Sequence, residues 1–250
     1  MKIIKVNPLT LYFLLLLFLC GFIKIGLIIF FIVIFHELGH VFFIKLFKYK
    51  IIDITIYPFG GIIKTDKDIN TPPNKELLIA SGGIIAQIIL FIVVSFLPIN
   101  ILTKEIFYKY NLSIMFFNML PIIPLDGSII INSLLNKVLS YKISYYLYII
   151  ISIIFTIIYL LFNYWYSINN YLIVSLFIIK TYYAIKNYKY LKTRFLLERY
   201  LNKYEFKYIS TKIGNLDILK LDTYQYFREN GSIVSEHTKL KEKFDNNICL

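Results

Sequence analysis

The stretch Phe35-His36-Glu37-Leu38-Gly39-His40 places three groups capable of chemistry within about one turn and a half of helix. Positions i and i+4 share a helix face, so His36 and His40 point the same way and can grip one zinc ion. Glu37 lies beside them, placed to take a proton from a metal-activated water. The chain has only 3 histidines in 250 residues. A chance His-Glu-x-x-His is therefore on the order of one in a thousand. The third, His237, falls in a polar stretch and reads as a surface residue.

A catalytic zinc takes three protein ligands and keeps its fourth position for water. The search for the third ligand is short. Of the acids before residue 186, Asp53, Asp66, Asp68, Glu76 and Glu105 fall in loops or at the edges of apolar segments. Only Glu37 and Asp126 lie within apolar segments, which leaves Asp126 as the candidate ligand. It closes the run Asn118-Met119-Leu120-Pro121-Ile122-Ile123-Pro124-Leu125-Asp126-Gly127, where two prolines and a glycine must break or kink a helix. Broken backbone at membrane depth is tolerated only where protein covers it or where it lines a wet cavity. Ionisable groups there are expensive and usually functional.

The elements that must hold these groups are membrane spans. Apolar residues make up 58% of the chain and charged residues 17%, with a mean hydropathy of +0.67. This excludes disorder and collagen-like repeats, and the presence of only 2 cysteines excludes a disulfide-rich secreted scaffold. The expected fold is an all-α polytopic membrane protein. About six transmembrane helices are expected, near 9–23, 25–46, 76–97, 107–135 (interrupted), 142–162 and 165–184. Leu19 precedes Cys20 where a cleavage site wants a small residue, so the first segment reads as an uncleaved span. Lys2, Lys5, Lys45, Lys48, Lys50, Lys64, Lys67, Lys75, Lys137 and Lys142 fall on one side when spans alternate. Both termini are then cytosolic by the positive-inside rule, with Trp165 and Tyr166 in an interfacial belt on the far side. Eight residues below Lys48, His40 lies about 12 Å deep.

Residues 1–185 carry 14 basic and 7 acidic side chains, and residues 186–250 carry 13 and 8. That shift divides a membrane body, 1–185, from a small cytosolic α/β tail, 186–250. The net charge of +12 reads as membrane orientation and attraction to anionic lipid, not as nucleic-acid binding. Residues 186–204 suggest a basic amphipathic helix. Tyr208–Ile213, Leu216–Leu221 and Ser232–Val234 suggest short strands, with Asn230-Gly231 as a turn. Between the second and third spans, Ile51–Tyr57 alternates toward β-strand and is followed by Pro58-Phe59-Gly60-Gly61. Ser81-Gly82-Gly83, Ala86 and Gln87 open the third span with small residues suited to close helix packing.

The HELGH motif on an early span, with NxxPxxPLDG on a later one, resembles the site-2 protease family of intramembrane zinc metalloproteases. The layout is most similar to its stage IV sporulation FB subgroup. That resemblance implies that His36, His40 and Asp126 bind Zn²⁺, that Glu37 is the catalytic acid/base, and that Asn118 holds the substrate segment or the developing oxyanion. It also implies a membrane-associated β-hairpin approaching the active site, with Phe59 lining or plugging the entrance. The partners implied are the lipid bilayer, a membrane-associated protein substrate (in that subgroup a pro-sigma factor) and inhibitory membrane proteins. The subgroup's tail is a nucleotide-sensing CBS-type domain. About 45 residues follow the expected tail helix here, a size at which independent folding is marginal, so a shortened remnant is expected. Two rival readings share the same residues: a metal-ion transporter, and an inactive membrane scaffold of the same family.

Overall fold

The computed structural model describes residues 4–57, 60–163, 168–229 and 232–245. The first helix, α1 (Pro8–Leu19), starts where Asn7 Oδ1 accepts the Leu9 N–H at 2.9 Å and Pro8 fills a position that needs no donor. Gly21, in the left-handed region at φ +77°, turns the chain into α2 (Ile23–Leu46). At 12 residues, α1 rises about 18 Å, short of the roughly 30 Å hydrocarbon core.

Among the described residues, three helices are long and apolar enough to cross a membrane: α2, α3 (Pro73–Phe96) and α6 (Tyr141–Asn163). They coincide with the spans expected at 25–46, 76–97 and 142–162. The protein is a mostly helical integral membrane protein.

The interrupted segment at 107–135 is two helices, α4 (Ile101–Met119) and α5 (Asp126–Val138). The prolines at 121 and 124 supply no donor, so the intervening backbone finds other partners. Leu125 N–H donates to Ile122 O at 2.7 Å, and Ile123 N–H donates to the Ser152 hydroxyl of α6 at 2.9 Å. The last long helix, α7 (Ile168–Leu201), runs 34 residues without a proline or glycine to stop it. Residue 185, the expected boundary between body and tail, falls inside it.

Two small sheets complete the fold. The expected hairpin is β2 (Ile51–Tyr57) paired antiparallel with β3 (Gly60–Thr65), with Ile54 opposite Ile63. A third strand, β1 (Ile4–Val6), lies parallel to β2. Three residues are too few to show a period, so the sequence did not announce it. The second sheet has the order β4 (Tyr208–Lys212), β5 (Thr223–Glu229), β6 (Ser232–Ser235), followed by α8 (Glu236–Asp245).

Strands expected at Tyr208–Ile213 and Ser232–Val234 are present, but the strand expected at Leu216–Leu221 is not. That segment makes a 3-10 turn, Leu216–Ile218, in which Leu219 is driven into the core and Asp217 meets the Lys142 ammonium at 2.7 Å. Contacts with Lys142 and then Lys192 hold the Asp217 carboxyl below its ordinary range. Strand β5 escaped notice because its inward residues include polar Thr223 and Gln225 while Tyr224 and Tyr226 face outward. His237 is exposed at the start of α8 and lies against Tyr200, as a surface residue would. Phe59, the Trp165–Tyr166 belt and the Asn230-Gly231 turn lie outside the described residues.

The chain divides into two compact units: Met1–Lys67 with Leu78–Leu120, and Asp68–Leu77 with Pro121–Leu250. The first is cored by Ile32 of α2, Leu90 and Val94 of α3, and Phe107 of α4. In the second, residues of α6 and α7 and of the tail share one core, with Tyr141 stacked on Phe195 at 4.3 Å and Leu219, Phe227 and Leu240 packed around them.

Candidate metal centre

Helices α2 and α3 meet backbone to backbone. A methyl group on Gly39 would lie 2.2 Å from the Gly82 carbonyl oxygen, and one on Gly82 would lie 2.6 Å from that of Gly39. Only paired glycines permit this approach, and it brings the polar side chains of α2 within reach of α3. The small residues expected to serve packing do so at Gly82. Gly83 has a second role: a Cβ there would sit 2.3 Å from His36 Cε1 and 2.5 Å from its Nε2, so the missing side chain is the space the imidazole occupies.

Each histidine is fixed by its Nδ1. His40 Nδ1 lies 2.7 Å from the Ile79 carbonyl oxygen, and His36 Nδ1 lies 3.0 Å from Gln87 Oε1. A carbonyl oxygen only accepts, so His40 carries its hydrogen on Nδ1 and presents a lone pair from Nε2. His36 does the same when it donates to Gln87 Oε1. The two Nε2 atoms then face one another at 3.1 Å, with both rings buried.

Two lone pairs at that distance repel unless a cation lies between them. The spacing suits zinc: two nitrogens at about 2.0–2.1 Å from a tetrahedral ion lie roughly 3.3 Å apart. Nδ1 donation to a carbonyl or amide oxygen is also the arrangement that raises the basicity of a ligating imidazole. The donor set therefore fits the metal that the sequence implies.

Glu37 projects from α2, half-buried, and its Oε1 accepts the backbone N–H of Gly61 of β3 at 2.7 Å. A Cβ at Gly61 would come within 2.9 Å of the Glu37 carboxyl carbon. The hairpin therefore orients the carboxylate through a glycine that can approach it closely. Asn118, in the last turn of α4, donates from Nδ2 to the Ile114 carbonyl of its own helix at 3.1 Å. Asp126 is the first residue of α5, at the end of the proline-broken segment.

Sequence reasoning missed Gln87, the Ile79 carbonyl and the Gly61 amide. Gln87 did carry a signal, since a side-chain amide in an apolar span wants a partner. A backbone carbonyl or amide leaves no such trace.

The Gly83 contact makes a prediction. Gly83→Ala puts a methyl against the imidazole, with α3 backbone behind it, so His36 must rotate away from His40. Zinc retained by the purified protein, measured by elemental analysis, is expected to fall by at least about tenfold, the scale of a lost supporting contact.

Residues 24–107, which include α2, the hairpin and α3, match the model of peptidase family M50. Stage IV sporulation protein FB of Bacillus subtilis is 35% identical over 123 residues, covering 48% of this chain and 43% of that protein. Zinc metalloprotease MJ0392 of Methanocaldococcus jannaschii is 36% identical over 118 residues, covering 44% of this chain and 34% of that one. The chain thus matches less than half the length of these relatives. A solved structure, the site-2 protease from Methanocaldococcus jannaschii, aligns over 81% of this chain and 93% of its own at 26% identity, with a TM-score of 0.48.

Proposed function

We propose that this chain is an intramembrane zinc endopeptidase, hydrolysing peptide bonds of membrane-embedded or membrane-associated proteins. The observation that carries the reading is the pair of histidine Nε2 atoms facing at 3.1 Å, each turned outward by an acceptor on its Nδ1, with the Glu37 carboxylate on the same helix.

In this reading His36, His40 and Asp126 hold Zn²⁺, which when bound acidifies water and polarises a peptide carbonyl. Glu37 takes the proton from the attacking water and returns it to the leaving amine. The Gly61 amide keeps Glu37 in place for both transfers. Asn118 stabilises the oxygen on which charge develops or holds the substrate segment. The exposed lysines at 45 and 48 support placing both termini in the cytosol, with products leaving on that side. The six-span layout, with the body at 1–185 and a cytosolic tail at 186–250, belongs to the same proposal. The relative named for stage IV sporulation supports a narrower role, processing of a membrane-associated pro-sigma factor, with inhibitory membrane proteins as partners.

The test is co-expression with a candidate single-span or membrane-associated substrate, comparing wild type with Asp126→Ala. Processing by the wild type and its loss with Asp126→Ala is the expected result. Equal processing by the two would remove Asp126 from the metal shell. Vesicles that move Zn²⁺ equally well with Glu37→Gln would favour transport instead.

A further inference from the structure

Among the described residues, two amides lie wholly buried in the first unit, Gln87 of α3 and Asn111 of α4. Their side chains cross. Asn111 Nδ2 donates to the Gln87 backbone carbonyl at 3.2 Å, and Gln87 Nε2 donates to the Asn111 backbone carbonyl at 3.4 Å. Gln87 Nε2 also lies 3.5 Å from Asn111 Oδ1. Every oxygen facing Gln87 Nε2 is an acceptor, so the end of Gln87 pointing at Asn111 must be the NH₂ end. Its Oε1 is thereby turned toward His36 Nδ1, 3.0 Å away.

The consequence falls on the proton of His36. His40 needs no such device, because the carbonyl of Ile79 can only accept. The partner of His36 is an amide, which could face it with either end. Flipped, Gln87 would offer N–H to Nδ1 and force the ring hydrogen onto Nε2, toward His40. That flip would also set Gln87 Oε1 against both the Asn111 carbonyl and its Oδ1, losing both hydrogen bonds from Nε2 and opposing acceptors in a buried site.

We infer that Gln87 and Asn111 form a tautomer lock, in which Asn111 fixes the orientation of Gln87 and Gln87 keeps the His36 Nε2 lone pair directed at the metal position. The inference rests on the metal centre proposed above. Gln87 and Asn111 are positioning residues: neither touches the metal or the substrate. Asn111, one helix further from the histidine, acts only through Gln87.

The test uses two readouts. The first is zinc affinity of the full chain in nanodiscs, by competition with a chelator. The second is the His36 tautomer in the metal-free protein, read from ¹⁵N-histidine spectra that only three histidines contribute to. Gln87→Leu and Asn111→Leu are each expected to weaken zinc about 10- to 100-fold and to move His36 from an Nδ1–H form to a mixture. Gln87→Glu keeps an acceptor toward Nδ1 and is expected to hold His36 in the Nδ1–H form where Gln87→Leu does not, a difference in tautomer that packing alone would not produce. Wild-type affinity and an unchanged His36 spectrum in both leucine variants would overturn the lock, as would an Nε2–H form in the wild type. A wild type that binds no zinc would instead overturn the proposed function, while its tautomer spectrum would still decide the lock.

Discussion

Glu37→Gln is expected to lower peptide-bond cleavage about 100- to 10,000-fold while leaving zinc content and fold unchanged, the range of a lost general base. Glutamine matches glutamate in shape, and its Oε1 can still accept the Gly61 N–H that Glu37 Oε1 accepts at 2.7 Å. What it cannot do is take a proton. The histidines keep their own supports on α3, Gln87 and the Ile79 carbonyl, neither of which involves position 37. Activity and metal binding should therefore separate. Rates of a purified variant within a few-fold of wild type would remove Glu37 from the proton transfers. Loss of zinc together with activity would mean that it serves the metal directly.

The second large effect lies in the other unit. Arg199 of α7 and Glu236 of α8 form an ion pair at 2.8 Å with both side chains almost fully buried. Arg199 Nε also donates to Asn70 Oδ1 at 2.8 Å, and its guanidinium lies over the rings of Phe195 and Phe206. Glu236 Oε2 accepts the Gln225 N–H of β5 at 3.0 Å. Beside them, Glu198 accepts the Ile69 N–H at 2.8 Å, so the segment before α3, the end of α7 and the second sheet are tied at one point.

Removing one member of a buried pair leaves the other charge without its partner, at a cost of roughly 3–5 kcal/mol, whereas replacing both with apolar groups is often neutral. Arg199→Met is thus expected to destabilise the second unit by about that amount. The double variant Arg199→Met with Glu236→Leu should recover most of it, as followed by thermal unfolding in detergent. Equal losses from the single and double variants would mean that the desolvated charge is not what the pair controls.

The candidate site was easier to pick out in the sequence than the elements around it. HELGH announces itself because two imidazoles and a carboxylate share a helix turn inside an apolar span, where few other reasons exist for them. The break before Asp126 was equally plain, since Pro121 and Pro124 cannot continue a helix. The contacts that tune these groups could not be read: the Ile79 carbonyl and Gly61 amide are backbone, and which backbone atoms meet a side chain is decided by packing.

The tail was harder for a related reason. It shares its core with α6 and α7, so residues such as Leu219 and Phe227 answer to partners far along the chain and not to a local period. The Leu216–Leu221 segment, expected as a strand, turns instead because Leu219 is buried and Asp217 is drawn to lysines on α6 and α7.

The most direct test is X-ray absorption at the zinc edge on the purified chain, with zinc counted in the same sample. One zinc per chain, ligated by two imidazole nitrogens with oxygen completing the shell, and lost in His36→Ala, is the predicted result. A chain that retains no zinc after purification in its presence, or a metal whose nearest neighbours include no imidazole, would contradict it.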